Sequence, residues 1–288
     1  MGVSRPKHAF RRHPTTLASM NFDISRSRTP LDATLLREEL LKNGDFGQVI
    51  YGKVTGSTNA DLLTLAGEGA PNWTVKTVEF QDHARGRLGR PWTAPEGSQA
   101  IVSVLVRIEP AHLDHIGTIP LAAGLAVMDA LADLNVQGAG LKWPNDVQID
   151  GKKLCGILVE ATGFDSTPSV VIGMGINISL TKEELPVPHA TSLALEGVEV
   201  DRTGFLINML TYLRHRVQQW QGPSVEWIDD YRAVCSSIGQ DVRVVLPGDK
   251  ELLGEAIGVA SGGEIRVRDA QGTVHTLNAG EITHLRLQ

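Results

Sequence analysis

The chain is poor in cysteine, in aromatic residues and in long apolar runs, and each shortage removes a class of protein. Its two cysteines, Cys155 and Cys235, form no CxxC pair and no Cys/His cluster. Neither a disulfide framework nor a structural zinc site is signalled, and a reducing, cytoplasmic compartment is expected. Phe, Trp and Tyr make up 5% of the residues, few stacking platforms for a single-stranded nucleic acid. The longest nearly apolar stretch, Ile119 to Met128, is half of the roughly 20 residues a membrane span needs, so no membrane association is expected. GxxxxGK[ST], GxSxG and HExxH are absent. That sets aside P-loop nucleotide binding, nucleophile-elbow hydrolysis and zinc peptidase chemistry.

What is present is a globular balance of 42% hydrophobic and 21% charged residues in 288 positions, enough for one large domain or an ordinary domain with a small one. Net charge is −6, yet residues 1–30 carry Arg5, Lys7, Arg11, Arg12, Arg26 and Arg28 against Asp23 alone. This basic leader has three readings: a transit-like peptide, a nucleic-acid-binding arm, or an extension ahead of a start at Met20. Pro6, Pro14 and Pro30 argue against one amphipathic helix, and a disordered tail or extension is the expectation for residues 1–30.

From Pro30 the spacing of Leu31, Leu35, Leu36 and Leu40 predicts a helix with Pro30 in its first turn and Gly44 as its stop. Thr58-Asn59-Ala60-Asp61 reads as a capping box, which puts Ser57 to Asn59 at a helix N-terminus. Strands are expected at Thr74–Phe80 and Gln99–Ile108, at Val147–Ile149 and Cys155–Glu160 joined by an Asp150-Gly151 turn, and at Ser169–Ile178. Helices are expected over Pro120–Leu134, Arg202–Trp220 and Ser224–Cys235. Five short strands between Asp241 and Leu287 then suggest a small SH3-like barrel after a boundary near Ser236–Gly239.

Three segments hold candidate chemistry. The long loop 81–98 contains Arg85-Gly86-Arg87-Leu88-Gly89-Arg90-Pro91-Trp92, and glycine-spaced guanidinium forks suit phosphate or carboxylate. Lys142-Trp143-Pro144-Asn145-Asp146 and Lys152-Lys153 combine a carboxylate able to hold Mg²⁺ with lysines able to neutralise an acyl or phosphoryl oxygen. Gly173-Met174-Gly175-Ile176-Asn177 follows a strand-like run, but no third glycine or capped helix follows, so the dinucleotide reading fails. Taken singly, each has a plain alternative: a solvated basic loop, a turn aspartate, a strand-edge lysine, a core tryptophan, and an inert thiol at Cys155.

Together with Gly56-Ser57-Thr58-Asn59 and Lys153-Leu154-Cys155-Gly156-Ile157-Leu158, these segments resemble, in order, the biotin protein ligases, of the type without a DNA-binding domain. The resemblance runs from about Leu31 to Leu287. It implies an α+β fold: a class II synthetase-like mixed sheet with helices at 31–236 as the biotin- and ATP-binding catalytic domain, and the SH3-like barrel at 237–288. It also implies biotin, ATP and Mg²⁺ as reactants and cofactor, biotinyl-5′-adenylate as intermediate, and a lysine of a biotin carboxyl carrier domain as acceptor. Carried onto this sequence, Ser57, Thr58, Asn59, Gln81, Arg85, Gly86, Arg87, Lys153 and Gly156 would meet biotin. Arg87, Arg90, Trp92, Asn145, Lys153, Ile176 and Asn177 would meet the nucleotide, Asp146 the metal, and Lys153 with Arg87 the reacting centre. The Arg85–Trp92 loop is expected to be mobile without ligand and to order over the adenylate. With room for one helix and one strand before Gly56, no specific DNA binding is expected, and either a monomer or a homodimer is compatible. The rivals are a lipoate ligase or octanoyl transferase, which share the catalytic fold, and a nucleic-acid-binding module.

Overall fold

A computed structural model describes residues 24–164, 168–246, 250–278 and 280–285. Its centre is a seven-stranded mixed sheet built from β1 (Gln48–Thr55), β2 (Thr74–Gln81), β3 (Gln99–Arg107), β4 (Ala139–Lys142), β5 (Asp146–Ile149), β6 (Lys152–Thr162) and β7 (Ser169–Asn177), in the order β1-β2-β3-β7-β6-β5-β4. Only β1 and β2 are parallel; they need a crossover, and helix α3 (Thr58–Gly67) supplies it. β3 and β7 lie mid-sheet and read as nearly continuous buried runs, because helices cover both of their faces. Leu62 and Ala66 of α3 close on Leu105 and Val171 from one side. From the other side come α4 (Ile119–Asp133) and α5 (Arg202–Gln221), followed by α6 (Glu226–Val234).

The run Pro110–Asp133 is long and apolar enough to cross a membrane, but its helical half, α4, is core. Residues such as Leu121, Leu125, Val127 and Leu131 are buried on packing against the sheet and α5. Apolar length alone does not separate these cases; burial does.

Two local expectations are corrected. The first full helix, α2 (Ala33–Leu41), is capped by Asp32, whose side chain accepts from Thr34 N and Leu35 N, so Pro30 lies outside it. At α3 the cap is Ser57, accepting from Ala60 N, and Asp61 does not reach back as a capping box requires. Its carboxylate takes Thr55 Oγ1 and Lys76 instead. The Asp150-Gly151 turn behaves as expected, with φ of 48° and 76° joining β5 to β6.

The end of the basic leader is part of the body. Residues Ile24–Ser27 form a short helix, α1, which makes two helices rather than one among the described residues ahead of β1. Arg28 donates to Ser179 O (2.8 Å) and to both oxygens of Glu184. Arg202, on α5, donates to Thr29 O, Gln99 O and the Glu79 carboxylate, and Glu79 in turn accepts from Leu31 N and Tyr51 Oη. A buried ion pair is tolerable when most of its remaining polar groups are bonded like this, and here only Arg202 Nε lacks a partner among the described residues. The disordered leader expected over 1–30 is thus corrected for residues 24–30; residues 1–23 lie outside the described residues.

The C-terminal strands β8 (Asp241–Leu246), β9 (Lys250–Val259), β10 (Ile265–Arg268), β11 (Val274–Leu277) and β12 (Glu281–His284) form an antiparallel sheet in the order β11-β10-β9-β8-β12. It docks through Trp143, which is 2% exposed and donates from Nε1 to Gly263 O at 2.9 Å. Gly263 has φ 87°, and a Cβ there would fall 2.6 Å from Thr118 Cγ2, so both backbone and space demand glycine.

Candidate functional site

A cleft of about 440 Å³ opens on the α3 face of the large sheet. Its floor follows from strand register. Ile101, Gly175 and Gly156 are aligned across β3, β7 and β6, and Ser103, Gly173 and Leu158 form the adjacent row. All six line the cleft. The two glycines in the middle strand vacate the floor. A Cβ on Gly173 would lie 2.2 Å from Asn59 Oδ1, and one on Gly175 would lie 2.6 Å from Trp92 Nε1. The Gly-x-Gly therefore makes room for two side chains laid across the sheet, and no helix follows it to hold a pyrophosphate.

The closed end is polar. Thr58 N donates to Gln81 Oε1 at 2.7 Å. Thr58 Oγ1 lies between that oxygen (2.9 Å) and Ser103 Oγ (2.7 Å). Ser103 Oγ donates to Asn59 Oδ1 at 2.6 Å, and Asn59 Nδ2 donates to Glu160 Oε2 (2.7 Å) and Leu158 O (3.3 Å). Among the described residues the Gln81 amide nitrogen makes no hydrogen bond, which leaves a donor facing the cleft.

The open end is cationic. Lys153 Nζ sits 2.7 Å from Asp146 Oδ1 and 5.0 Å from the centroid of the Trp92 ring. Its backbone is fixed by a bond from Lys153 N to His189 O at 2.7 Å and one from Thr191 N to Lys153 O at 2.9 Å. Arg87 reaches across to Asn145 Oδ1 (3.2 Å) and Gly280 O (3.3 Å), so it ties loop, sheet and C-terminal sheet together. Asn145 is oriented for this by donating from Nδ2 to Ile157 O. The Arg85–Trp92 segment forms a turn in which Gly86 N donates to Arg90 O and Trp92 N to Ala84 O. Arg85, Arg87, Arg90, Lys142 and Lys153 line the cleft, with Asp146 the only acid among the described lining residues. In a chain of net charge −6, such a cluster concentrates an anionic ligand.

Thirteen of the expected site residues meet here: Ser57, Thr58, Asn59, Gln81, Arg85, Gly86, Arg87, Arg90, Trp92, Asn145, Asp146, Lys153 and Gly156; Lys142, singled out with them, also lines the cleft. Ile176 and Asn177 are not among the lining residues, and both are fully buried. The Asn177 amide accepts from Gln99 Nε2 and donates to Thr191 O, which pins β7 to β3 and to the segment after it. Asn59 is also less available than expected, since both its N–H groups and its oxygen already have partners within the protein. Missed by sequence reasoning were Ser103, Val187 and His189; isolated in a strand and a loop, they carry no local pattern. Cys155 is buried, and burial pushes its thiol up to about 12, the inert thiol anticipated from sequence.

Among the described residues no three acidic, His or Cys side chains cluster as a metal cage. One carboxylate beside a phosphate-binding cleft is nevertheless the usual protein share of a Mg²⁺ site, with the phosphates supplying the rest. Asp146 fits that share. A slot with a polar closed end, an apolar floor and a cationic mouth suits a long, thin carboxylic acid brought against a nucleotide phosphate.

The family model described as the Biotin/lipoate A/B protein ligase family matches residues 51–177, and that of the Biotin protein ligase C terminal domain matches residues 237–285. The chain is 40% identical over 270 residues to the biotin--[acetyl-CoA-carboxylase] ligase of Mycobacterium tuberculosis, covering 92% of this chain and 99% of that protein. It is 28% identical over 293 residues to the bifunctional ligase/repressor BirA of Escherichia coli, covering 98% and 89% respectively. Among solved structures, the biotin protein ligase from Aquifex aeolicus in complex with biotin and ATP superposes with a TM-score of 0.71 at 26% identity, over 84% of this chain and 100% of that one.

Proposed function

The chain belongs to the biotin protein ligase family, and from that premise we propose that it is an ATP-dependent biotin--[acetyl-CoA-carboxylase] ligase working in the cleft described above. In the first step a carboxylate oxygen of biotin attacks the α-phosphorus of ATP; the bond to the β-phosphate oxygen breaks and pyrophosphate leaves. In the second, the amine of a carrier-domain lysine attacks the mixed-anhydride carbonyl, loses a proton, and AMP leaves with the electron pair of the broken C–O bond. The observation that carries this reading is the polarity of the slot: hydrogen-bonding groups at its closed end, and five cations around one acid at its mouth.

In this reading the head group lies against Ser57, Thr58 and Gln81, and the chain of the acid runs over Gly173 and Gly156 towards Lys153. The Lys153 ammonium, held at a fixed place by Asp146 and Trp92, stabilises negative charge where the new bond forms. Arg87 closes over the reacting carboxyl, and Arg85 and Arg90 take phosphate oxygens. Asp146 and Asn145 would hold Mg²⁺ against the triphosphate, an ion that neutralises phosphate charge when bound. Residues 31–236 are taken as the catalytic unit and 237–288 as the C-terminal unit. Two free buried thiols support a cytoplasmic location. No specific DNA binding is part of the same proposal, and a monomer or a homodimer is equally compatible with this chemistry.

ATP- and Mg²⁺-dependent pyrophosphate release, compared for biotin, lipoate and octanoate and followed by mass spectrometry of an added biotin carboxyl carrier domain, tests the reading. Biotin-selective release with one modified lysine is expected. Selectivity for lipoate or octanoate would keep the fold and overturn the substrate.

A further inference from the structure

We propose that Arg28 is a positioning residue for the cationic mouth of the cleft: it fixes the start of segment 181–190, whose far end holds the backbone of Lys153. The inference deepens the ligase reading above and rests on it for its kinetic consequence. Segment 181–190 walls the cleft with Pro186, Val187 and His189. It is not a strand, and Pro186 and Pro188 have no N–H to give to a ladder. Its placement therefore depends on how its two ends are tied.

The far end meets the reacting centre. Lys153 N donates to His189 O at 2.7 Å and Thr191 N to Lys153 O at 2.9 Å, so Ala190 pairs with Lys153 as a parallel bridge. The near end meets Arg28. Thr181 N donates to Glu184 Oε2 at 2.9 Å, which closes residues 181–184 into one turn. Arg28 grips the same carboxylate through Nη1 (3.1 Å) and Nη2, and also donates from Nη2 to Ser179 O at 2.8 Å. The two side chains are each 25% exposed, and a guanidinium fork on a carboxylate fixes direction as well as distance.

An anchor positions another group only if it is itself held. Next to Arg28, Thr29 O accepts from Arg202 at 2.7 Å and Leu31 N donates to Glu79 Oε1 at 2.8 Å, so Arg28 stands on the buried Arg202–Glu79 pair. Without it the segment keeps only its tie to Lys153, and the fraction of molecules with the wall in place falls. Apparent affinity for whatever binds at the mouth falls by the same fraction. The closed end is built on α3, β2 and β3 through Thr58, Gln81 and Ser103, so head-group binding is spared.

The test compares the full chain with Arg28→Ala, Glu184→Ala, the double variant and Arg28→Lys. Arg216→Ala is the control for lost stability, because its partners Asp129 and Asp230 do not line the cleft. Amide hydrogen exchange without ligand reads the tether: both alanine variants should speed exchange at Lys153, Ala190 and Thr191 beyond any change in the control. KM for ATP in pyrophosphate release should rise roughly fivefold, the factor for a wall in place about a fifth of the time. Biotin Kd by calorimetry should stay within about twofold on the same argument. Arg28→Lys, which keeps the charge without the fork, should recover part of the loss, and the double variant should be no worse than the poorer single one. Parental exchange at those amides, parental KM for ATP, or equal losses for ATP and biotin would overturn the positioning role and leave the ligase reading intact. Failure of the unsubstituted chain to bind either biotin or ATP would overturn that reading, and this role with it.

Discussion

At the residue scale the cleft turns on Lys153. Its ammonium is poised between the Asp146 carboxylate and the Trp92 ring, so its position is set before any ligand arrives and no reorganisation is needed as charge develops. Lys153→Ala is expected to lower the rate of adenylation by roughly 10²–10³, the range for losing one preorganised charge-stabilising group. Single-turnover formation of the adenylate checks it, and near-parental rates would take Lys153 out of the mechanism. The residue types and their order were legible in the sequence, but the pairing was not. Lys153 and Asp146 lie seven positions apart on neighbouring strands, and only the β5–β6 register with its irregularity between Val147 and Gln148 decides that they meet. Asn177 was harder still to place: it shares a face of β7 with Gly173 and Gly175, yet its amide is taken up by Gln99 and Thr191, partners the sequence does not pair with it.

At the scale of elements the cleft is a matter of which floor positions are empty. Gly175 carries no strained φ; its value lies in leaving space for Trp92. Gly175→Ala is expected to displace that ring from beneath Lys153, raising KM for ATP several-fold with little change for biotin, and to cost about 1–3 kcal/mol through overpacking. Separate titrations of the two substrates, with a thermal melt, would check this; parental KM for ATP would show that Trp92 is not part of the nucleotide side. A second element-scale device is the strap at Arg28. The bond from Arg28 holds the Glu184 carboxyl below its ordinary value, so the stabilisation it gives is present above the usual glutamate range and lost as pH falls through the lowered folded value. Glu184 also accepts from Thr181 N at the head of the segment that brings Val187 and His189 to the cleft. Arg28→Ala should therefore flatten the acid limb of the stability curve relative to the parent; identical acid limbs would count against the strap. The basic leader hid this in the sequence, since Arg28 looked like one more charge in a tail, and its partners are about 150 positions away.

At the scale of the whole molecule, the small C-terminal sheet was readable as five short strands, but its link to chemistry was not. Two contacts make that link. Trp143 bonds Gly263 O from the back of the Lys142–Asp146 run, and Arg87 bonds Gly280 O across the front of the cleft. Trp143→Phe keeps the buried ring and removes one donor, leaving the Gly263 carbonyl unpaired in a buried setting, at about 1–3 kcal/mol. For a chain of this size that is roughly 2–9 °C in Tm. A purely structural tryptophan would do no more. If the C-terminal sheet instead holds Arg87 in place, loosening its dock must also loosen the closure over the adenylate. Arg87→Gly, which removes that closure outright, sets the upper limit: free biotinyl-adenylate should escape faster than it does from the parent, with its formation slowed less than its retention. Trp143→Phe should show the same leak to a smaller degree. Rapid filtration of enzyme loaded with the adenylate measures both, and a Trp143→Phe variant that melts early yet retains its adenylate like the parent would separate the C-terminal sheet from the lid.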